Sequence, residues 1–147
     1  MQREIKFRAW NKLEKRMESV NFIKFFLNDY TMVSTRYRDE KSKKIYDDQF
    51  AYGQEDGSDN VILMQFIGLH DKNGIEIYEG DIISAYNGRI KGPVIFDKRG
   101  LAFGVPNGPN EIYQFSMNFL ESKDIKVIGN IYENPEILKV WVNWFIS

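Results

Sequence analysis

Apolar and polar residues alternate over short stretches of this chain, and the clearest pattern spans residues 63–83. An apolar run there ends at Asp71-Lys72-Asn73-Gly74, and Ile75 and Ile77 alternate with polar residues after it. An Asn-Gly pair tolerates the positive φ angles that a tight hairpin turn needs. A second turn at Glu79-Gly80-Asp81 leads into another apolar segment. The region therefore predicts three short antiparallel strands joined by two turns.

The first third of the chain carries a weaker pattern of the same kind. Residues 3–10 alternate with period two and predict a half-buried strand, and residues 17–20 fit its hairpin partner. Residues 22–27 fit a short helix and a buried strand equally well. Residues 35–59 are rich in charge and glycine, so we expect much of this stretch to be a mobile connection, with a short strand near residue 45.

Further strands are predicted at residues 89–96, 101–105 and 125–132, with turn residues between them. Pro93 places its strand at an edge or a bulge, because proline cannot donate a ladder hydrogen bond. Residues 112–120 fit one or two helical turns. We predict a mainly β (α+β) protein, a small, partly open β-barrel of short antiparallel strands with an N-terminal β-hairpin region and a C-terminal helix.

The predicted domains are an N-terminal hairpin region with its charged connection, and the small barrel with its C-terminal helix; they span residues 1–60 and 61–147. The helix follows from Asn134 as a cap and Pro135 at the first helical position, before apolar residues at helical spacing. Its apolar face is aromatic, and a short helix needs burial of such a face to be stable. We predict interface residues at Trp141, Trp144 and Phe145, and a homo-oligomer, with a dimer as the first choice. Docking of the helix on its own domain is the alternative.

Composition excludes several classes of site. The 147 residues include no cysteine and one histidine, His70, so thiolate chemistry and a multi-histidine metal site are absent from one chain. The sequence has no apolar stretch of about 18 residues, which is the signal of a membrane span. We therefore expect a cytoplasmic protein without a metal, a cofactor, a membrane contact or catalytic residues.

Charge is distributed unevenly along the chain. Residues 1–44 hold 12 lysines and arginines against 6 acids, whereas residues 45–81 hold 1 against 9. The basic section interleaves cations with an aromatic residue, as a nucleic-acid-binding face does. The candidate nucleic-acid-binding residues are Lys6, Arg8, Trp10, Arg36 and Arg38. A solvated mixed surface is the other interpretation, and it is the commoner one.

Two further motifs invite a chemical interpretation. Asp71, Asn73 and Gly74 would occupy positions 3, 5 and 6 of a calcium loop, but leucine and glycine fill the first and twelfth positions, which favours a plain hairpin turn. Glu76, Glu79 and Asp81 could form a carboxylate pair for acid-base or magnesium chemistry. Acids around glycine are also typical of a tight turn, which is the favoured interpretation. His70 next to a turn favours a surface histidine over a general base.

Five blocks of the sequence resemble the YopX family of phage and prophage proteins. They are REIKFRAW at 3–10, LMQFIGL at 63–69, DKNG at 71–74, IYEGDI at 77–82 and VIGNIYENPE at 127–136. The resemblance implies a mostly β protein encoded by a phage or prophage, with no established biochemical role and no catalytic residues to transfer. Residues 139–147 continue beyond the point where the family pattern commonly ends.

Two functional hypotheses follow. The first is a non-enzymatic accessory protein of a phage or prophage that acts in the bacterial host through a phage or host protein, or through its own oligomer. The second is a nucleic-acid-binding module that uses the basic N-terminal section.

Overall fold

The computed structural model describes residues 2–27, 30–54, 57–107, 111–115 and 124–139. The chain divides into two compact units, which we call the N-terminal unit, Ile5–Gln65, and the C-terminal unit, Phe66–Ser147 with Met1–Glu4. The predicted domain boundary lies at residues 60 and 61, whereas the division in the structure falls inside one strand, Val61–His70. The two halves of this strand are described with the units to which they belong.

The N-terminal unit is an antiparallel sheet in which the first five strands lie in the order β4-β3-β2-β1-β5. The strands are β1 Phe7–Asn11, β2 Arg16–Phe25, β3 Thr31–Arg38, β4 Ile45–Tyr52 and the first half of β5 Val61–His70. One face of this sheet buries Ala9, Val33 and Val61, with Val20 and Phe50 packed against them. Burial of this apolar face stabilises the sheet, because it removes apolar area from water.

Residues 35–38 and 45–52, within the stretch predicted as a mobile connection, form strands instead. Strands β3 and β4 pair along their whole length, from Thr31 with Tyr52 to Arg38 with Ile45. The turn between them is closed by Asp39, whose carboxylate accepts hydrogen bonds from the amides of residues 41 and 42. Of the ambiguous residues 22–27, residues 22–25 form the end of β2, and residues 26 and 27 follow it.

The C-terminal unit consists of short antiparallel strands. After the second half of β5 come β6 Glu76–Tyr78, β7 Asp81–Ala85, β8 Ile90–Pro93, β9 Ile95–Asp97, β10 Ala102–Pro106, β11 Ile112–Gln114 and β12 Lys126–Asn130. They form one sheet in the order β12-β7-β8, another in the order β11-β10-β9, and a β5–β6 pair. The core of the unit is the cluster Ile67, Ile77, Ile83, Ala85, Val94, Val105 and Ile125.

Turn chemistry explains why the strands of this unit end where they do. The amide of Gly74 donates to the carbonyl of Asp71 at 3.0 Å, and Gly74 has a φ of 80°, as the Asn-Gly signal predicts. Pro93 lies on β8, which is an edge strand of its sheet, so the prediction from proline is confirmed.

The mainly β, antiparallel fold class is confirmed, and the arrangement of the strands as a barrel stays a prediction. Residues 112–114 form the strand β11, so the predicted helical turn is wrong there, and residues 116–120 lie outside the described residues. Helical backbone begins at the predicted place and covers residues 136–139. Trp141, Trp144 and Phe145, the predicted interface residues, lie outside the described residues.

Candidate functional site

One face of the N-terminal sheet carries four of the five predicted nucleic-acid-binding residues. Side chains alternate along a strand, so Arg8 and Trp10 on β1 share a face, as do Arg36 and Arg38 on β3. Arg8 pairs with Ser19 on β2, and Ser19 pairs with Arg36, which places both sets on the same side of the sheet. We call this side, defined by Arg8, Trp10, Arg36 and Arg38, the basic face.

The remaining candidate, Lys6, is exposed and lies just before β1. The basic face also contains a cation that the sequence analysis did not single out. Lys24 on β2 pairs with Met32 on β3 and so points to the side of Arg36. Its ammonium lies 4.8 Å from the centre of the Phe26 ring. The alternation of residues 22–25 would have indicated Lys24 if that stretch had been assigned to a strand.

Arg36 is not available as an independent cation on the basic face. Its Nε lies 2.7 Å from Oδ1 of Asp47 on β4, and its Nη2 lies 2.9 Å from Oδ2. The hydrogen bond and the charge of Arg36 hold the pKa of Asp47 below its ordinary value. The cross-strand neighbour of Arg38 is Ile45, which is apolar. Arg38 therefore contributes more than Arg36 to the positive potential of this face.

The opposite face of the same sheet contains a buried polar cluster that the sequence analysis missed. Oε1 of Glu18 accepts hydrogen bonds from Nδ2 of Asn11 at 3.1 Å and from Nε of Arg16 at 2.7 Å, and Oε2 accepts one from Oγ1 of Thr35 at 2.6 Å. Burial alone would lower the pKa of Arg16, but its hydrogen bond to Glu18 and the charge of Glu18 raise it. The Arg16 guanidinium also lies 4.0 Å from the centre of the Tyr37 ring. Every oxygen of Glu18 is engaged, so the cluster has a structural role.

The Asp71 turn, which resembles part of a calcium loop, uses its carboxylate for backbone contacts. Oδ1 accepts hydrogen bonds from the amides of Asn73 at 2.8 Å and Ile75 at 3.0 Å, and Oδ2 accepts one from the amide of Val127 on β12 at 3.0 Å. Burial would raise the pKa of Asp71, but these three amides and the charge of Lys126 together lower it. Asp71 thus connects the hairpin turn to β12; the sequence analysis expected the turn but not the contact with β12.

Two of the acids near the second turn contact Tyr78. Oδ2 of the buried Asp81 accepts a hydrogen bond from the amide of Tyr78 at 2.8 Å, while the Tyr78 hydroxyl donates to Oε2 of Glu76 at 2.8 Å. His70 is exposed and contacts the edge of the Phe66 ring, with 5.5 Å between ring centroids. Among the described residues, no group of three histidines or acids is placed to hold a metal ion.

The segment before the C-terminal helix is fixed by two asparagines. Oδ1 of Asn130 accepts hydrogen bonds from the amides of Tyr132 at 3.0 Å and Glu133 at 2.9 Å. The backbone amide of Asn130 in turn donates to Oδ1 of Asn134 at 3.2 Å. Polar residues of the block at 127–136 therefore shape the chain entering the helix.

These observations define a protein of two antiparallel β units, in which most of the polar motif residues support turns and strand ends. The chain belongs to the YopX family, because the family model described as YopX protein matches residues 6–139. The resemblance found in the sequence is thereby confirmed.

Two solved structures are similar to this chain. Protein EF1440 from Enterococcus faecalis is 25% identical, with a TM-score of 0.54 over 93% of this chain and 99% of that chain. Protein yopX from Bacillus subtilis is 19% identical, with a TM-score of 0.49 over 90% of this chain and 96% of that chain. No curated protein matches the chain. Within the part of the chain that the structure describes, no helix is long and apolar enough to cross a membrane.

Proposed function

We propose that this protein is a non-enzymatic accessory protein of a phage or prophage, which acts in the bacterial cytoplasm by binding a protein partner or further copies of itself. The observation that carries the proposal is a group of exposed apolar residues at the turn between β2 and β3. Phe25 is 78% exposed, Leu27 is fully exposed and Tyr30 is also exposed. We call these three residues the hairpin-end patch. Exposed large apolar side chains close together in the chain favour a protein contact site.

Phe26 and Tyr30 are in contact where the β2–β3 hairpin ends. The amide of Phe26 donates to the carbonyl of Tyr30 at 2.8 Å, and the two rings are in tilted contact at 5.3 Å. The structural roles of Asp71 and Asp81 also favour a binding protein over an enzyme, because both carboxylates are engaged by backbone amides.

A capture experiment tests the hairpin-end patch. We expect the double variant Phe25→Ser, Leu27→Ser to lose a protein that the unmodified chain retains from phage-infected or prophage-carrying cells. The matched control is Leu13→Ser, which changes a residue of the same unit that is 65% exposed in another turn. Equal capture by both variants would show that the patch is not the contact site.

The claim of no catalysis has its own test. Reproducible hydrolysis of a nucleotide, peptide or ester by the pure protein, abolished by His70→Ala or Asp81→Ala, would place the chain among enzymes instead.

A nucleic-acid-binding module is the second candidate function, and the basic face favours it. Phosphate contacts release counterions, so binding must weaken as salt rises. We expect Arg38→Glu to weaken binding to single-stranded DNA about ten-fold at low salt and to reduce the salt dependence. Arg36→Glu changes the charge equally but also breaks the ion pair with Asp47, so Arg38 is the cleaner position for this test.

The control for this measurement is Lys91→Glu, which changes the charge equally at an exposed position on β8 of the C-terminal unit. No binding by the unmodified protein at micromolar concentration and low salt would remove the nucleic-acid hypothesis. Equal losses for Arg38→Glu and Lys91→Glu would show that the basic face is not the site.

A further inference from the structure

Strand β4 has one open edge. Its partner β3 pairs with all eight of its residues, and no strand among the described residues pairs with the other side. The amide of Asp39 donates to the carbonyl of Lys44, so these two residues are a hydrogen-bonded pair. Counted from this pair, hydrogen-bonded and non-hydrogen-bonded pairs alternate along β3 and β4. The backbone groups that point to the open edge are therefore those of Ile45, Asp47, Gln49 and Ala51.

The features that usually prevent an edge strand from pairing are missing from β4. Residues 45–52 contain no proline and no lysine, and the register with β3 shows no bulge. The carboxylate of Asp47, one of the two charges of the strand, is bound by Arg36 within the same sheet. A pairing strand would therefore meet exposed backbone donors and acceptors with little charge in its path.

We propose that β4 pairs antiparallel with β4 of a second copy of this chain, across a two-fold axis at Gln49. This inference rests on the proposed function, of which it specifies the self-association. In this register Tyr46 lies opposite Tyr52 of the partner subunit, and Asp48 lies opposite Phe50 of the partner subunit. Aromatic cross-strand pairs, such as Tyr46 with Tyr52 of the partner subunit, stabilise a sheet.

The neighbouring registers are less favourable than the one with its axis at Gln49. An axis at Asp48 would place two carboxylates directly opposite each other, which is destabilising. An axis at Phe50 would require the amide of Gly53 for the ladder, but that amide already donates to Oδ2 of Asp59 at 3.0 Å. The axis at Gln49 uses only residues 47–51 and forms about six backbone hydrogen bonds, two for each of three pairs.

Cross-linking through an introduced cysteine tests this register, and the chain contains no cysteine that would interfere. Residues opposite each other in a hydrogen-bonded antiparallel pair have Cα atoms about 5.5 Å apart, which lies within the range that a disulfide spans. We expect Gln49→Cys to form a covalent dimer under mild oxidation at least about ten-fold faster than Ser19→Cys. Ser19 is exposed on the same face of the sheet but lies on the internal strand β2.

A second pair of variants measures the same contact without a cross-link. Gln49→Pro removes an amide that points to the open edge, so it leaves the β3–β4 ladder complete and should abolish the dimer in light scattering. Gln49→Thr keeps the amide and should retain the dimer. Equal cross-linking rates at positions 49 and 19, or equal masses for the proline and threonine variants, would overturn the proposal. Capture of a partner through the hairpin-end patch would be unaffected by that result, so the two proposals fail separately.

Discussion

Replacing Asp71 with alanine is expected to lower the free energy of unfolding by about 3 kcal/mol, because three backbone amides lose the carboxylate that accepts their hydrogen bonds. Two of these amides lie in the turn itself and the third lies on β12, so the change affects both the hairpin and β12. Urea unfolding gives the total loss. Amide hydrogen exchange should show that protection falls first in the C-terminal unit.

The matched control for this prediction is Asp39→Ala. Asp39 also accepts hydrogen bonds from two turn amides, at residues 41 and 42, but it does so in an exposed turn of the N-terminal unit. Water can replace its contacts, so we expect a much smaller loss of stability. Similar losses for the two variants would contradict the account of Asp71.

The Asp71 contacts also fix the sign of a pH effect. The folded-state pKa of Asp71 lies below its ordinary value, so its charged form is stabilised by folding. This contribution is complete above the unfolded-state pKa of about 3.9 and is lost as the pH falls through the lower folded-state pKa. The stability difference between the unmodified protein and Asp71→Asn should therefore shrink below about pH 4.

Replacing Glu18 with alanine is expected to lower the free energy of unfolding by about 3 kcal/mol, because it destabilises the N-terminal unit. The change leaves Asn11, Arg16 and Thr35 without a buried acceptor, and breaking a buried ion pair from one side is strongly destabilising. Hydrogen exchange should show the loss of protection in β1 to β3.

Glu14→Ala is the control, because Glu14 contacts the same cation from the surface. Its carboxylate lies 3.7 Å from Nη1 of Arg16, and its side chain is 57% exposed against 1% for Glu18. An exposed ion pair contributes little, so we expect a loss of at most about 0.5 kcal/mol. A Glu18 variant as stable as the Glu14 variant would show that the buried cluster does not hold the sheet.

The strands and turns that the sequence predicted correctly are those with a local signal. Asn73-Gly74 tolerates the positive φ of a tight turn and Pro93 cannot donate a ladder hydrogen bond, so their neighbours could be placed without knowledge of the fold. Strand β4 had no such signal, since its residues are mostly exposed and burial supplies no alternation. Its stability comes from pairing with β3, including the Arg36 and Asp47 contact, which depends on a register that only the folded chain defines.

The candidate site was predictable to a similar extent. Alternation along the predicted strand at residues 3–10 was enough to place Arg8 with Trp10. Strand β3 was not predicted, so the sequence did not show that Arg36 and Arg38 share a side of the sheet with Arg8. That depends on the register through Ser19. The buried position of Glu18 could not be predicted, because an acid within a strand is usually exposed and its three partners come from different strands.

The central claim is that this protein acts through contacts of its N-terminal unit, including self-association. Its most direct test is the mass of the intact protein, measured by light scattering as the concentration rises. We predict that the mass increases from that of one chain towards that of two between micromolar and millimolar protein, and that Gln49→Pro stays at one chain throughout. A mass of one chain for the unmodified protein over the whole range would contradict the claim of self-association.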